Sequence, residues 1–212
     1  MSFGCPSGAS DIVAAELNGD TRQDFIVCAG TAGAAAVFIG NGNGTFGSAS
    51  FSEIGSNTGP RVVTLGDVNG DGNQDAVVGH SIGSVVSVHL GTGTGTFSPR
   101  IDVPVGGSSY AVSLADLGGD GKLDLVVTND LLHTVSTLPG NGNGTFGTRT
   151  DYSTSPDSPT ALAVSDLNGD GKLDLAVATG GTASIYLNAG SGTFGSRNQY
   201  FVGSGDPARR FT

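Results

Sequence analysis

Four tandem all-β units, each a four-stranded antiparallel blade, are what this sequence predicts. Three observations carry that expectation. The segment DLNGDGKLDLAV (Asp166–Val177) has copies at Glu16–Val27, Asp67–Val78 and Asp116–Val127, with starts 51, 49 and 50 residues apart. A second motif keeps the same register: NGNGTFG at Asn41–Gly47 and Asn141–Gly147, TGTGTFS at Thr92–Ser98 and GSGTFG at Gly190–Gly195. Its aromatic residues Phe46, Phe97, Phe146 and Phe194 are 51, 49 and 48 residues apart. Two motifs in phase at a fixed period mark a repeat architecture. Thirdly, Val, Ile, Leu and Ala gather in short runs with no 3.6-residue period, so no long helix is expected. Strands in fours with polarity rising outward describe a β-propeller blade, which buries both faces only by stacking on neighbours.

The last unit shows the elements most plainly. Pro159–Leu167 (PTALAVSDL) alternates and reads as a first strand. The NGDGK loop follows, and Leu173–Ala178 (LDLAVA) is apolar enough for a buried second strand. Gly180–Thr182 reads as a tight turn, since Gly adopts positive φ without steric cost. Ala183–Leu187 is a third strand, and beyond the GSGTFG turn the more polar Ser196–Val202 is a fourth. The other units align on this one, so the chain reads as a single array with blades at about 10–54, 58–105, 106–155 and 156–202. The first unit has its own first strand at Asp11–Leu17. Residues 203–212 read as an overhang, because Val202 onward resembles Val105–Ser113, the entry to a first strand.

Composition excludes several classes. Gly and Pro make up 45 of 212 residues, yet the apolar residues are patterned, so the chain is not disordered. No apolar stretch is long enough to span a membrane as a helix. The N-terminal MSFGCPSG lacks the basic and apolar regions of a signal peptide, so a leader is expected to have been removed or the chain to be a fragment. A net charge of −10 disfavours nucleic acid as a partner. Of the 19 acidic residues, 12 lie in the four repeated loops, and four bound divalent cations would bring −10 to −2. Cys5 and Cys28 leave two readings open: a disulfide that pins the N-terminal segment, or a small buried Cys28.

Each loop sets acidic or amide side chains at positions 1, 3, 5 and 9, with position 7 between them: Glu16, Asn18, Asp20, Arg22 and Asp24; Asp67, Asn69, Asp71, Asn73 and Asp75; Asp116, Asp120, Lys122 and Asp124; Asp166, Asn168, Asp170, Lys172 and Asp174. In the third loop position 3 is Gly118. Position 7 varies in chemistry, so only its backbone carbonyl is expected to serve. Oxygen ligands without His or Cys select Ca²⁺, and Ca²⁺ tolerates a flexible loop better than Mg²⁺ does. The loop begins like an EF-hand but carries Val27, Val78, Val127 and Val177 where the bidentate Glu belongs, so position 9 is expected to close the site. The alternative is an Asx-rich turn with no metal. Up to four Ca²⁺ ions are expected, one per blade. Loops two and four read as the fullest, followed by three and then one, where Glu16 replaces Asp and Thr21 replaces the turn Gly.

These D-x-N-x-D-G-x-x-D loops, with the pairs Phe46-Gly47, Phe146-Gly147 and Phe194-Gly195, resemble the FG-GAP/VCBS repeat family of integrin α-subunit heads and bacterial surface proteins. The resemblance runs from Ser10 to Val202, with Ser98 in place of the Gly after Phe97 and Gly59-Pro60 nearest to a Gly-Ala-Pro. It implies a calcium-binding β-propeller, commonly of seven blades, in an extracellular or cell-surface setting.

No catalytic constellation stands out. His80, His89 and His133 share no spacing, and His89 aligns with Phe38, Leu138 and Tyr186 as a packed strand residue. Asn43 and Asn143 sit in N-G-T sequons, though Asn-Gly suits a turn with or without a glycan. The chain reads as non-enzymatic and without membrane insertion, and the resemblance alone implies an adhesion or recognition module for a glycan or protein. The alternative is a structural block that self-associates through its C-terminal overhang.

Overall fold

A computed structural model describes residues 8–29, 34–52, 59–154 and 156–201. Among the described residues there is no helix, and four sheets of four strands follow one another along the chain. Blade one holds β1 (Ala9–Ala15), β2 (Asp24–Ala29), β3 (Ala34–Phe38) and β4 (Ser50–Ser52). Blade two holds β5 (Pro60–Gly66), β6 (Asp75–His80), β7 (Val85–His89) and β8 (Ile101–Pro104). Blade three holds β9 (Ser109–Ala115), β10 (Asp124–Asn129), β11 (Thr134–Leu138) and β12 (Thr150–Ser153). Blade four holds β13 (Ala161–Ser165), β14 (Asp174–Ala178), β15 (Thr182–Tyr186) and β18 (Asn198–Phe201), with a small hairpin, β16 (Asn188–Gly190) and β17 (Thr193–Phe194), between its last two strands. Each blade is an antiparallel meander. The 203–212 overhang and Cys5 lie outside the described residues; Cys28 is a buried free thiol, pushed up to about 12 by burial and by the charge of Asp11.

One register recurs in every blade. The position-9 aspartate begins the second strand and faces the last residue of the first: Ala15 with Asp24, Gly66 with Asp75, Ala115 with Asp124, Ser165 with Asp174. The first strand stops there because the aspartate takes the next-but-one backbone N–H out of the ladder. For that reason β1 ends at Ala15 and β13 at Ser165, two residues short of the ends expected from sequence.

The second strands of blades two and three are buried throughout, as their apolar runs require. Alternate residues face opposite neighbours. Ile26, Cys28, Ala35 and Val37 of blade one share a core with Val63, Ala76 and Val78 of blade two. Val77, Val86 and Val88 repeat that role against blade three, and Val126 and Val135 against blade four. Each of the three junctions thus joins one face of a blade to the opposite face of the next. The fourth strands are largely exposed, so polarity rises outward.

The motif phenylalanines close the core at the loop end. Phe97 packs into the junction of blades one and two, Phe146 into that of two and three, and Phe194 into that of three and four. Phe25 stacks on Phe38 and meets Phe46 edge-on in blade one.

Candidate metal loops and an interblade cleft

The four acidic loops share one end of the array, and their geometry follows from the carboxylates. In loop two, Asp67 Oδ1 accepts the amides of Asn69, Gly70 and Asp71 at 3.2, 2.6 and 3.2 Å, while Oδ2 accepts that of Gly72 at 2.8 Å. Asp71 Oδ1 accepts the Asn73 amide at 2.8 Å, and its Oδ2 accepts Asn69 Nδ2 at 3.0 Å. These bonds wrap the backbone around the first carboxylate. Gly70 and Gly72 supply the left-handed turns, with φ of 78° and 86°. Asp166 repeats the pattern in loop four through Gly169, Asp170 and Gly171. Asp116 repeats it in loop three, with Gly118 presenting no side chain between Asp116 and Asp120.

Loop one departs where the sequence suggests. Glu16 Oε1 gathers the amides of Asn18, Gly19 and Asp20. The fourth bond, which Gly72, Gly121 and Gly171 make in the other loops, has no counterpart at Thr21 among the described contacts. Thr21 sits at φ 67°, in the left-handed region that a β-branched residue disfavours.

Position 9 has a task the motif alone did not disclose. Asp75 Oδ2 accepts the Val68 amide at 2.9 Å, and Oδ1 accepts the Gly91 amide at 2.7 Å. Asp24 holds Leu17 and Gly40, Asp124 holds Leu117 and Gly140, and Asp174 holds Leu167 and Asn188 in the same way. The carboxylate staples the loop to the exit of the third strand. A side chain at Gly40, Gly91 or Gly140 would strike the carbonyl of Gln23, Gln74 or Leu123. Blade four solves this differently: Asn188 stands there and its Nδ2 donates to the Leu173 carbonyl at 3.0 Å.

Electrostatics separates the positions. Amide donation, from Asn73 first, holds the exposed Asp71 carboxyl below its ordinary range. Asp120 is lowered chiefly by the Lys122 amide, Asp166 by the Gly171 amide and Asp170 by the Lys172 side chain. Asp75 goes the other way, because burial outweighs its two amide donors and Asp71 and Asp67 repel it. At position 7, the side chains of Arg22, Lys122 and Lys172 lie 3.5, 3.4 and 3.1 Å from Asp20, Asp120 and Asp170. Loop two has the neutral Asn73 instead.

Among the described residues, no three His, Cys, Asp or Glu side chains gather as a metal cluster by themselves. The loops fit a hard cation in another sense. Their donors are all oxygen, and Asp71 keeps a lone pair on each carboxylate oxygen after its hydrogen bonds. Asp67, Asn69 and Asp71, with the Asn73 carbonyl and the second lone pairs of Asp75, are the groups that would hold the ion.

A cleft of about 420 Å³ opens between blades three and four beside loop three. Asp120, Thr148, Thr150, Tyr152, Ser191 and Thr193 line it, and the absent side chain at Gly118 widens it. Tyr152 packs edge-on against Phe194 and accepts its amide at 3.2 Å. Ser191 on the rim is a non-Gly residue at φ 53°. The sequence reading did not single out this cleft, because its residues come from two blades.

The histidines form a buried polar group. His80 Nε2 and His89 Nε2 lie 2.8 and 3.3 Å from Ser87 Oγ, between blades one and two. At the same register in blade three, Asn129 Nδ2 donates to Ser136 Oγ at 2.7 Å.

Solved structures of the same fold include an Agrocybe aegerita lectin, reported for specific recognition of non-reducing terminal N-acetylglucosamine, at 24% identity and TM-score 0.63 over 88% of this chain and 51% of that one. The V. cholerae biofilm matrix protein Bap1 matches at 20% identity and TM-score 0.52, over 89% of this chain and 30% of that one. The Photorhabdus luminescens Tc holotoxin pore matches at 22% and 0.51, over 95% and 10%. This chain therefore spans about half of the lectin and less of the other two. No curated protein sequence matches it. The FG-GAP-like repeat matches residues 16–78, 75–127, 119–177 and 166–212, so this four-bladed β-propeller chain belongs to the FG-GAP-like repeat family.

Proposed function

We propose that this chain is a recognition module, stiffened by calcium at its loops, that binds glycans in the clefts between adjacent blades. The observation that carries this reading is the cleft between blades three and four. Its volume of about 420 Å³ lies in the range of small-ligand sites, and Thr148, Thr150 and Thr193 line it together with an aromatic residue, Tyr152. Such a lining pairs donors and acceptors with sugar hydroxyls and offers an apolar surface for a sugar face. The Asp120 carboxylate, exposed at the mouth, adds an acceptor.

The lectin's fold supports the reading at the level of architecture. Its sugar belongs to that protein, and it serves here as a first probe. A binding role is favoured over an enzymatic one because Asp124, the deeper carboxylate of the cleft, is committed to the Leu117 and Gly140 amides. His80 and His89 are turned into a blade junction. Calcium would draw Asp67, Asn69 and Asp71 and their counterparts onto one centre and cancel their mutual repulsion. Loops of this kind bind at roughly 10⁻⁴–10⁻³ M in extracellular modules, which suits a secreted or surface setting.

A glycan array probed with the full chain in millimolar Ca²⁺ tests this. Binding to a defined terminal sugar should be lost in Thr150→Val and weakened at least tenfold in Thr193→Ala, with melting temperature unchanged. Absence of binding across the array, or binding indifferent to both substitutions, would overturn it.

A further inference from the structure

The three blade junctions repeat one set of contacts, and blade four carries half of a fourth. At each junction the loop residue at position 2 is driven into the core: Leu17 is 6% exposed, Val68 3% and Leu117 4%. Its carbonyl is capped from the next blade. Gly95 N–H donates to the Leu17 carbonyl at 2.8 Å, Gly144 N–H to Val68 at 2.9 Å, and Asn188 Nδ2 to Leu117 at 2.9 Å. Leu167 is the fourth member of this series, yet it is 48% exposed. No donor among the described residues caps its carbonyl. Below it the same face continues through Ala178, exposed, and Ala183 and Ile185, half-buried. Their counterparts at the first junction, Cys28, Ala35 and Val37, are buried.

Blade one carries the other half. Gly44 occupies the place of Gly95 and Gly144; those two are buried, whereas Gly44 is exposed with open space around it. Ile12 is 61% exposed where its counterpart Val63 is buried, and with Val27 it lines an open cleft of about 460 Å³. In the first junction, Val63 and Val78, the counterparts of Ile12 and Val27, share a core with Cys28 and Ala35.

We propose that blade four of one copy packs on blade one of a second copy, head to tail, in the register of the internal junctions. Leu167 enters the core at the partner copy's loop end, and its carbonyl accepts the N–H of Gly44 in that copy. Ala178 and Ala183 fill the cleft beside Ile12 and Val27. The occupant is set by continuity with three existing junctions: the exposed half-sites are the two sides of one repeated interface. The contact is heterologous, so it leaves a free face on each end unless two copies close an eight-blade ring.

Sedimentation velocity on the full chain in millimolar Ca²⁺ reads this directly. A species of twice the 20.9 kDa chain mass is expected. Leu167→Glu and Ile12→Glu should each weaken association at least 100-fold while retaining the β circular dichroism spectrum. Because each variant keeps one intact face, an equimolar mixture of the two should recover a dimer. A wild-type monomer throughout the micromolar range would overturn the proposal. So would dimers that survive both substitutions, or folded variants that fail to complement each other.

Discussion

The Leu17 carbonyl accepts the Gly95 N–H of the following blade at 2.8 Å, tying an acidic loop to its neighbour's Phe-Gly turn. The Leu17 amide is held at 2.9 Å by Asp24, which also grips Gly40. One peptide segment thus joins loop, third-strand exit and adjacent blade. That relates the two sequence motifs that recur in phase: the turns of blades two and three cap the previous blade's loop, and in blade four the Asn188 side chain does so.

The position-9 staple should be costly to break even without metal. In Asp75→Asn the amide group can no longer accept both the Val68 and Gly91 N–H groups, and one buried donor loses its partner. A loss of about 2–3 kcal/mol is expected. Asp71→Asn, on an exposed carboxylate, should cost much less in EGTA. Urea unfolding of both variants in EGTA measures the contrast, and equal costs would contradict it.

Thr21 holds a left-handed conformation that Gly72, Gly121 and Gly171 hold in the other loops. Thr21→Gly should stabilise the chain by about 1 kcal/mol, relief of strain outweighing the extra freedom of the unfolded chain. It also matches loop one to the others, so calcium affinity at that loop should rise. A lower melting temperature in this variant would count against the account.

Loop two should bind calcium first. Arg22, Lys122 and Lys172 sit on the position-5 carboxylates of loops one, three and four, whereas Asn73 brings no competing charge. Exposed pairs of this kind are weak, so the ranking is a matter of several-fold in affinity. Asn73→Lys should remove the tightest step from a calorimetric titration, leaving the other steps in place. An unaltered titration would contradict the ranking.

The buried histidines should make stability fall in mild acid. Burial first, then the Arg100 charge, lowers His80 to about 4, and His89 is also lowered by burial. The unfolded chain takes up these protons near pH 6.5, before the folded chain does. Stability is therefore complete above about pH 6.5 and declines toward pH 4, by about 3 kcal/mol from His80 alone. His80→Asn places the Asn129-type pairing at this site and should flatten that decline. Chemical denaturation at pH 7.5 and pH 5 compares the two proteins.

The blades and loops were legible because they are local. A loop's own carboxylates gather its own amides, and the apolar runs Asp75–His80 and Asp124–Asn129 read directly as buried strands. What joins residues from different blades was not legible. The cleft needs Asp120 and Thr150 from one blade and Thr193 from the next. The Ser87 hydroxyl meets His80 only through strand pairing, and the exposure of Leu167 has no sequence signature beside the buried Leu117. The β16–β17 hairpin falls on the GSGTFG turn read from sequence, and its Asn188–Phe194 pairing repeats Gly40–Phe46, Gly91–Phe97 and Gly140–Phe146 of the other blades.

Calcium at the loops is the central claim of this account about what stiffens the chain, and thermal unfolding with and without chelator tests it most directly. At 100-fold saturation each occupied site adds about 2.7 kcal/mol. Two or more sites then rival a domain's entire stability of ~5–15 kcal/mol. The melting temperature of the full chain should rise by ten degrees or more, on the order of a few degrees per kcal/mol, between excess EGTA and 10 mM CaCl₂. A melting temperature that is the same in both would contradict the account.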